Sequence, residues 1–312
     1  MFTLFKRRNF GDYVSDTFVF FKHTGKHYLK NYFTINGALL LILVAASYFL
    51  FQVYFDFFLK IDPNENNFDY LENYLNNNIG LVVLIAVALL LFMIFLSMLN
   101  YAVPVIYMDL YREKNGNAFG TKEILSRFKA KFGQIAVFFL VTVFLITPVL
   151  MVVFALLFLL CFILIGIPLL LFAIPTAFSW ITLSFFEYLN TDKGVFQSYG
   201  SGFKHLTKQY FPIVGSSMII YIIIQVAMTV FTMIPYMLGL VSVFTGIEEG
   251  SRGTDATATV SIMMTMYMVF SLLMSYILNN LLLVNQGLVY YSRQEFDENK
   301  SADFSIDLIG SE

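Results

Sequence analysis

Between Gly133 and Phe186 the chain runs for 54 residues without an Asp, Glu, Lys, Arg or His. A helix crossing the hydrocarbon of a bilayer needs about 20 predominantly apolar residues. This stretch is too long for one crossing and too short for three, so it must double back as a helical hairpin. Gly166-Ile167-Pro168 is the place for the turn, because Gly can end one helix and Pro can open the next.

Four further apolar runs, 33–59, 79–108, 212–238 and 257–291, join the hairpin arms 133–160 and 168–188 to give six spans. The fold class is therefore an all-α polytopic membrane protein. With 58% hydrophobic and 13% charged residues, against about 45–50% and about 25% in soluble domains, the chain lacks a coat for water. Its 36 Phe and 19 Tyr are the reverse of a disordered composition. A formal net charge of −2 supplies no basic face for nucleic acid. The lone Cys161, inside LLFLLCFILIG, makes no internal disulfide and reads as a small packing residue. The N-terminal MFTLFKRRNFGDYVSD is basic but has no apolar core behind it, so it is not expected to be a removable signal.

Orientation follows from the basic residues. Seventeen of the nineteen Lys and Arg fall on one side of the six spans, and only Lys60 and Arg252 fall on the other. Both termini are expected on the cytoplasmic side of the inner membrane. An arm (1–32) carrying a basic amphipathic interfacial helix precedes the spans, and an acidic tail (292–312) follows them. In the outer connection between the first two spans, Phe68, Leu71, Tyr74 and Leu75 suit a short helix. The connection between the last two, GLVSVFTGIEEGSRGTDATA, is rich in Gly and Thr and reads as irregular.

The letters also read as three repeats, each a basic amphipathic interfacial helix followed by a transmembrane hairpin. In the first, Val14, Phe18, Phe21, Gly25, Tyr28 and Tyr32 form one helical stripe beside Lys22, Lys26 and Lys30. The second has Ile124, Leu125, Phe128 and Phe132 among Lys122, Arg127, Lys129 and Lys131. The third has Phe196, Tyr199, Phe203, Leu206 and Tyr210 beside Lys204 and Lys208. The hairpins end alike: VIYMDLYREKNG and LSFFEYLNTDKG both place an acid seven residues before a Gly (Asp109 and Gly116, Glu187 and Gly194), whereas LVYYSRQEFDEN lacks that spacing.

A basic amphipathic helix feeding each span, the Tyr107-Met108-Asp109-Leu110 ending and the closing Tyr290-Tyr291-Ser292-Arg293 resemble the glycerophosphoryl diester phosphodiesterase membrane-domain family, over about residues 11–295. The resemblance implies an integral membrane part that works with other proteins. It carries no phosphodiesterase activity, since nothing here resembles the soluble catalytic barrel. It also implies, as partners, a MoxR-type ATPase and von Willebrand A-domain system.

An ionisable side chain at the centre of a span costs about 2.5–3.5 kcal/mol on insertion scales and so marks function by default. Spans two to six hold none between their ends, which argues against ion-coupled transport. Uncharged polar residues do occur: Asn100, Gln225, Ser271, Ser275, Asn279 and Gln286 form an intramembrane polar set. Ser271, Ser275 and Asn279, spaced by four, are expected to face one way. They are either interhelical hydrogen-bonding groups or the lining of a crevice for a lipid headgroup. His23, His27 and His205 could gather around zinc, although a lysine-rich interfacial face also commonly carries His. Nine of the fourteen Met lie between Met218 and Met274, which suits either adaptable packing or copper(I). Neither a serine-hydrolase motif nor a His-Glu-x-x-His pair is present, and no cofactor is expected. The sequence thus points to a non-catalytic scaffold or assembly subunit. Its collar of Lys22, Lys26, Lys30, Lys129, Lys131, Lys204 and Lys208 would meet anionic lipid or protein partners. A transporter of lipids or small molecules is the alternative.

Overall fold

The computed structural model describes residues 2–59, 67–248 and 253–298. Among them there is no strand. The chain forms α1 (Phe10–Leu59), α2 (Asn67–Glu113), α3 (Thr121–Ala130), α4 (Phe132–Val141), α5 (Thr147–Leu159), α6 (Gly166–Asn190), α7 (Val195–Lys208), α8 (Tyr210–Glu248) and α9 (Gly253–Glu298). Six segments are long and apolar enough to cross a membrane: Phe10–Gln52, Asn77–Glu113, Phe132–Ile163, Gly166–Asn190, Tyr210–Ile234 and Val260–Glu298. The protein is an all-helical integral membrane protein.

The hairpin forms where the apolar run demanded it, but its turn differs in detail. Leu164, not a glycine, takes the left-handed conformation (φ 63°). Gly166 is required for closeness instead: a Cβ there would lie 2.3 Å from the Leu157 carbonyl oxygen and 2.4 Å from the Cys161 nitrogen. Pro168 sits in the first turn of α6, where a missing N–H costs nothing. The first arm widens into a π-helical turn over Thr142–Ile146 just before Pro148. Proline there offers no N–H to the carbonyl four residues earlier, and a widened turn is one way a helix absorbs that loss.

Two expectations are corrected. The first basic segment is not a separate interfacial helix, because α1 runs unbroken from Phe10 to Leu59. Only α3 and α7 are set off from the spans that follow them, by single non-helical residues, Lys131 and Gln209. Ahead of α1, Phe2, Leu4, Phe5 and Arg8 are all buried. The connection between the last two spans is helical up to Glu248 and again from Gly253. The helix expected over 68–75 is present as the start of α2, which kinks at Asn78 before its span. The tail beyond 298, together with Lys60, Arg252 and Lys300, lies outside the described residues.

The chain divides into two compact units. The larger comprises Met1–Ile35, Met98–Ile224 and Asn279–Glu312; the smaller comprises Asn36–Ser97 and Gln225–Leu278. The larger has an aromatic interior. Tyr28 meets Tyr107 edge-to-face at 4.8 Å, Tyr107 meets Phe119 at 4.9 Å, and Phe138 stacks on Tyr199 at 5.0 Å. Backbones also approach closely within it. A Cβ on Gly202 of α7 would fall 2.8 Å from the Ser184 backbone nitrogen of α6. One on Gly287 of α9 would fall 2.3 Å from the Met108 sulfur.

The buried stripe of α1 in this unit is Tyr13, Thr17, Phe20, Thr24, Tyr28 and Tyr32. It is offset from the expected stripe in its first half, where Phe18 is 41% exposed. The hydroxyls of Thr17 and Thr24 donate to the carbonyls of Tyr13 and Phe20, each at 2.7 Å. That back-bonding removes the cost of burying a polar side chain, so threonine takes a place that an apolar stripe would give to Phe. Among the described residues the smaller unit buries Leu40, Leu43, Phe55 and Leu96 together with the uncharged polar Asn36, Ser47, Thr232, Ser261 and Thr265.

Candidate functional site

The larger unit gathers its charge where helices end. Asp109, near the end of α2, is buried. Its carboxylate accepts from the Arg112 guanidinium at 2.5 Å and from Arg127 of α3 at 3.4 Å, while Arg127 also reaches Glu113 at 2.5 Å. Glu187, near the end of α6, is equally buried. It accepts from the Lys193 ammonium and lies 3.6 Å from His205 Nε2 on α7. The other nitrogen of His205 faces Asp297 of α9 at 3.7 Å, and Asp297 accepts from Lys208 at 2.6 Å and Arg293 at 3.0 Å. In both clusters the acid is joined to a base eighteen residues further on, Asp109 to Arg127 and Glu187 to His205. That interval was readable in the sequence and extends the acid–Gly spacing noticed there.

At the matching position of the last span stands Ser292. Its hydroxyl oxygen accepts from the Arg8 backbone N–H at 3.0 Å and from the Tyr13 hydroxyl at 3.3 Å. Arg8 was not singled out from the sequence, yet its side chain is fully buried. It donates to Asp16 at 2.9 Å and to the carbonyls of Leu4 and Thr3 at 2.7 Å each. Burial pulls the Arg8 guanidinium below its ordinary pKa, and Asp16 opposes that shift. Burial likewise pushes the Tyr199 phenol up to about 12, against a hydrogen bond with Thr142 at 2.6 Å.

The seven collar lysines separate into two groups. Lys22, Lys26, Lys30, Lys129 and Lys204 are exposed, and none of them has an ion pair among the described residues. Lys131 instead donates to the Leu189 carbonyl at the end of α6, and burial lowers its pKa. Lys208 is tied to Asp297. Beside the free lysines, the outer faces of the same elements carry exposed aromatic rings: Phe18 on α1, and Phe196 and Phe203 on α7. The apolar stripe expected for α7 therefore divides, with Tyr199 and Leu206 inside and Phe196 and Phe203 outside.

The intramembrane polar set also divides. Asn100 is buried and accepts from the Tyr32 hydroxyl at 2.7 Å. Gln286 is buried and donates to Ser217 at 2.6 Å, which pairs with Ser179 at 3.0 Å. Two neighbours join them: Asn280 accepts from Tyr28 at 2.6 Å, and Asn285 donates to Tyr13 O and Thr17 Oγ1 at 3.0 and 3.1 Å. By contrast Ser275 and Gln225 are exposed, and Ser271 and Asn279 are half-buried. The i, i+4 serines of α9 therefore do not line a sequestered face. The sheltered polar groups are the ones that bind one another across helices.

Nor are the histidines brought together as ligands. Both ring nitrogens of His27 are engaged, Nδ1 with the Tyr107 hydroxyl and Nε2 with the Phe119 carbonyl, each at 2.8 Å. His23 is exposed, and His205 lies between two carboxylates. Among the described residues no three His, Cys, Asp or Glu are grouped as a metal ion requires. Met233, Met237, Met264, Met266 and Met268 turn outward. The chain matches no protein-family model, no curated protein and no solved structure.

Proposed function

We propose that the protein is a non-catalytic component of the cytoplasmic (inner) membrane, a scaffold or assembly subunit. Both termini lie in the cytoplasm, and its basic helices meet anionic lipid and the faces of other membrane proteins. The observation that carries this reading is the set of five exposed lysines on α1, α3 and α7 without an ion pair among the described residues, next to outward-facing Phe18, Phe196 and Phe203. Aromatic rings seated at the headgroup level with lysines beside them make an interfacial anchor. Each lysine adds about 1 kcal/mol of attraction to an anionic surface. The buried carboxylates support a structural role, since each is held by cations of its own or a neighbouring element. The three-repeat organisation belongs to this proposal, and the shared eighteen-residue acid-to-base interval supports it. A MoxR-type ATPase and von Willebrand A-domain partner is what the family resemblance adds.

The test is lipid retention through mild-detergent purification over a range of salt. Replacing Lys22, Lys26, Lys30, Lys129 and Lys204 by Gln should reduce co-purifying anionic phospholipid and partner subunits, most at low ionic strength where screening is weakest. Lys131→Gln with Lys208→Gln should lower thermal stability but leave lipid content alone. An unchanged lipid and partner complement in the five-lysine variant at every ionic strength refutes the proposal.

A further inference from the structure

We infer that the smaller unit holds one acyl chain of a membrane lipid in a groove between α1 and α9. The groove is a cavity of about 520 Å³, within the range of small-molecule sites. Along α1 its wall is Leu41, Ala45 and Phe49, three residues one helical turn apart, so a methyl group sits between two large side chains and leaves a notch. Met266, Phe270 and Leu273 of α9 line the facing wall.

Three considerations fix the occupant. Water is excluded, because an ordered water needs two to four polar partners and the lining offers no polar side-chain group except the Tyr48 hydroxyl. The groove is continuous with the bilayer-facing surface, since Leu41, Phe49 and Met266 are largely exposed on membrane-spanning segments. Its length also fits. The eight residue-to-residue steps from Leu41 to Phe49 rise about 12 Å at 1.5 Å each, which fits inside one leaflet of a hydrocarbon core about 30 Å thick. The medium around such a notch is hydrocarbon, and a chain lying in it regains the dispersion contacts an empty notch would forgo. No charge takes part, so this site is independent of the lysine collar.

The experiment uses the full chain in vesicles of zwitterionic phosphatidylcholine carrying a photoactivatable diazirine in one acyl chain, with adducts mapped by mass spectrometry. Labelling of 41–49 and 266–273 should exceed, severalfold, that of 149–159 in α5, where Val149, Met151, Val152 and Phe158 are as fully exposed. Ala45→Phe should fill the notch and reduce groove labelling to the α5 level while α5 labelling stays constant. Val269→Phe, from the opposite wall, should do the same if the first variant folds poorly. Equal labelling of groove and α5 in the native chain, or groove labelling that survives in a folded notch-filling variant, overturns the inference. Loss of anionic-lipid retention in the lysine variants with groove labelling intact would leave both readings standing.

Discussion

The two units solve the same problem with different chemistry. The larger buries charge and amide groups: Arg8, Asp109, Glu187, Asn100, Asn285 and Gln286 all lie inside it, joined to partners on other elements. Among the described residues the smaller buries no charged side chain: its buried polar groups are Asn36, Ser47, Ser261, Thr232 and Thr265, and the last two differ in whether their hydroxyls find a partner. In hydrocarbon, apolar packing supplies little specificity, because lipid tails are as apolar as Leu. Directional bonds and close backbone contacts therefore define the larger unit, whereas the smaller buries no charge among its described residues.

The sharpest way to break that contrast is at Arg8. With its guanidinium fully buried and Asp16 its one ion-pair partner among the described residues, Asp16→Ala strands a charge. Removing one member of a buried pair typically costs about 3–5 kcal/mol. The lower end is expected here, because the Leu4 and Thr3 carbonyls still accept from Arg8. Thermal unfolding in detergent measures it. The double change Arg8→Met with Asp16→Leu should recover most of the loss, since the apolar pair leaves no charge unpaired.

Glycines give a second, smaller test with opposite signs in the two units. In the larger, Gly202→Ala would drive its methyl to 2.8 Å from the Ser184 backbone nitrogen and 2.9 Å from its Cα. Overpacking of this kind costs about 1–3 kcal/mol. In the smaller, a Cβ on Gly37 would meet no atom of another described element within 4 Å. Gly37→Ala should stabilise by about 0.5–1 kcal/mol through the helix propensity alone. If both changes are neutral by unfolding midpoint, close backbone approach is not what defines the larger unit.

Much of this was legible in the sequence, and what was not has physical causes. Run length alone gave the number of long apolar helices, six, and a 54-residue uncharged run could only fold as a hairpin. The buried face of α1 was not legible because hydropathy counts Thr17 and Thr24 as polar, whereas their back-bonded hydroxyls make them inward residues. The same scale missed Arg8, whose burial depends on partners at Thr3, Leu4 and Asp16 that no periodic pattern encodes. Equal spacing of Ser271, Ser275 and Asn279 gave the direction of one face but not what lies opposite it. The lysine collar was read as one set of seven charges. Only the geometry of Leu189 and Asp297 distinguishes Lys131 and Lys208 from the rest.

The finest comparison is between two buried threonines of equal size. Thr17, in the larger unit, donates to the Tyr13 carbonyl at 2.7 Å and accepts from the Asn285 amide at 3.1 Å. Thr17→Val keeps the shape but leaves that amide one acceptor short, and a typical lost hydrogen bond is worth about 1 kcal/mol. Thr265, in the smaller unit, is fully buried with no hydrogen-bond partner for its hydroxyl among the described residues. Thr265→Val removes a donor that already lacks its bond, so the desolvation penalty disappears with it and stability should hold or rise slightly. Measured side by side in one detergent, the two changes share their volume, their burial and the membrane environment. A loss at 17 without a loss at 265 assigns directional bonding to the larger unit alone. Equal losses at both positions would show that the interior of the smaller unit also depends on its hydroxyls, and the contrast between the units would fail.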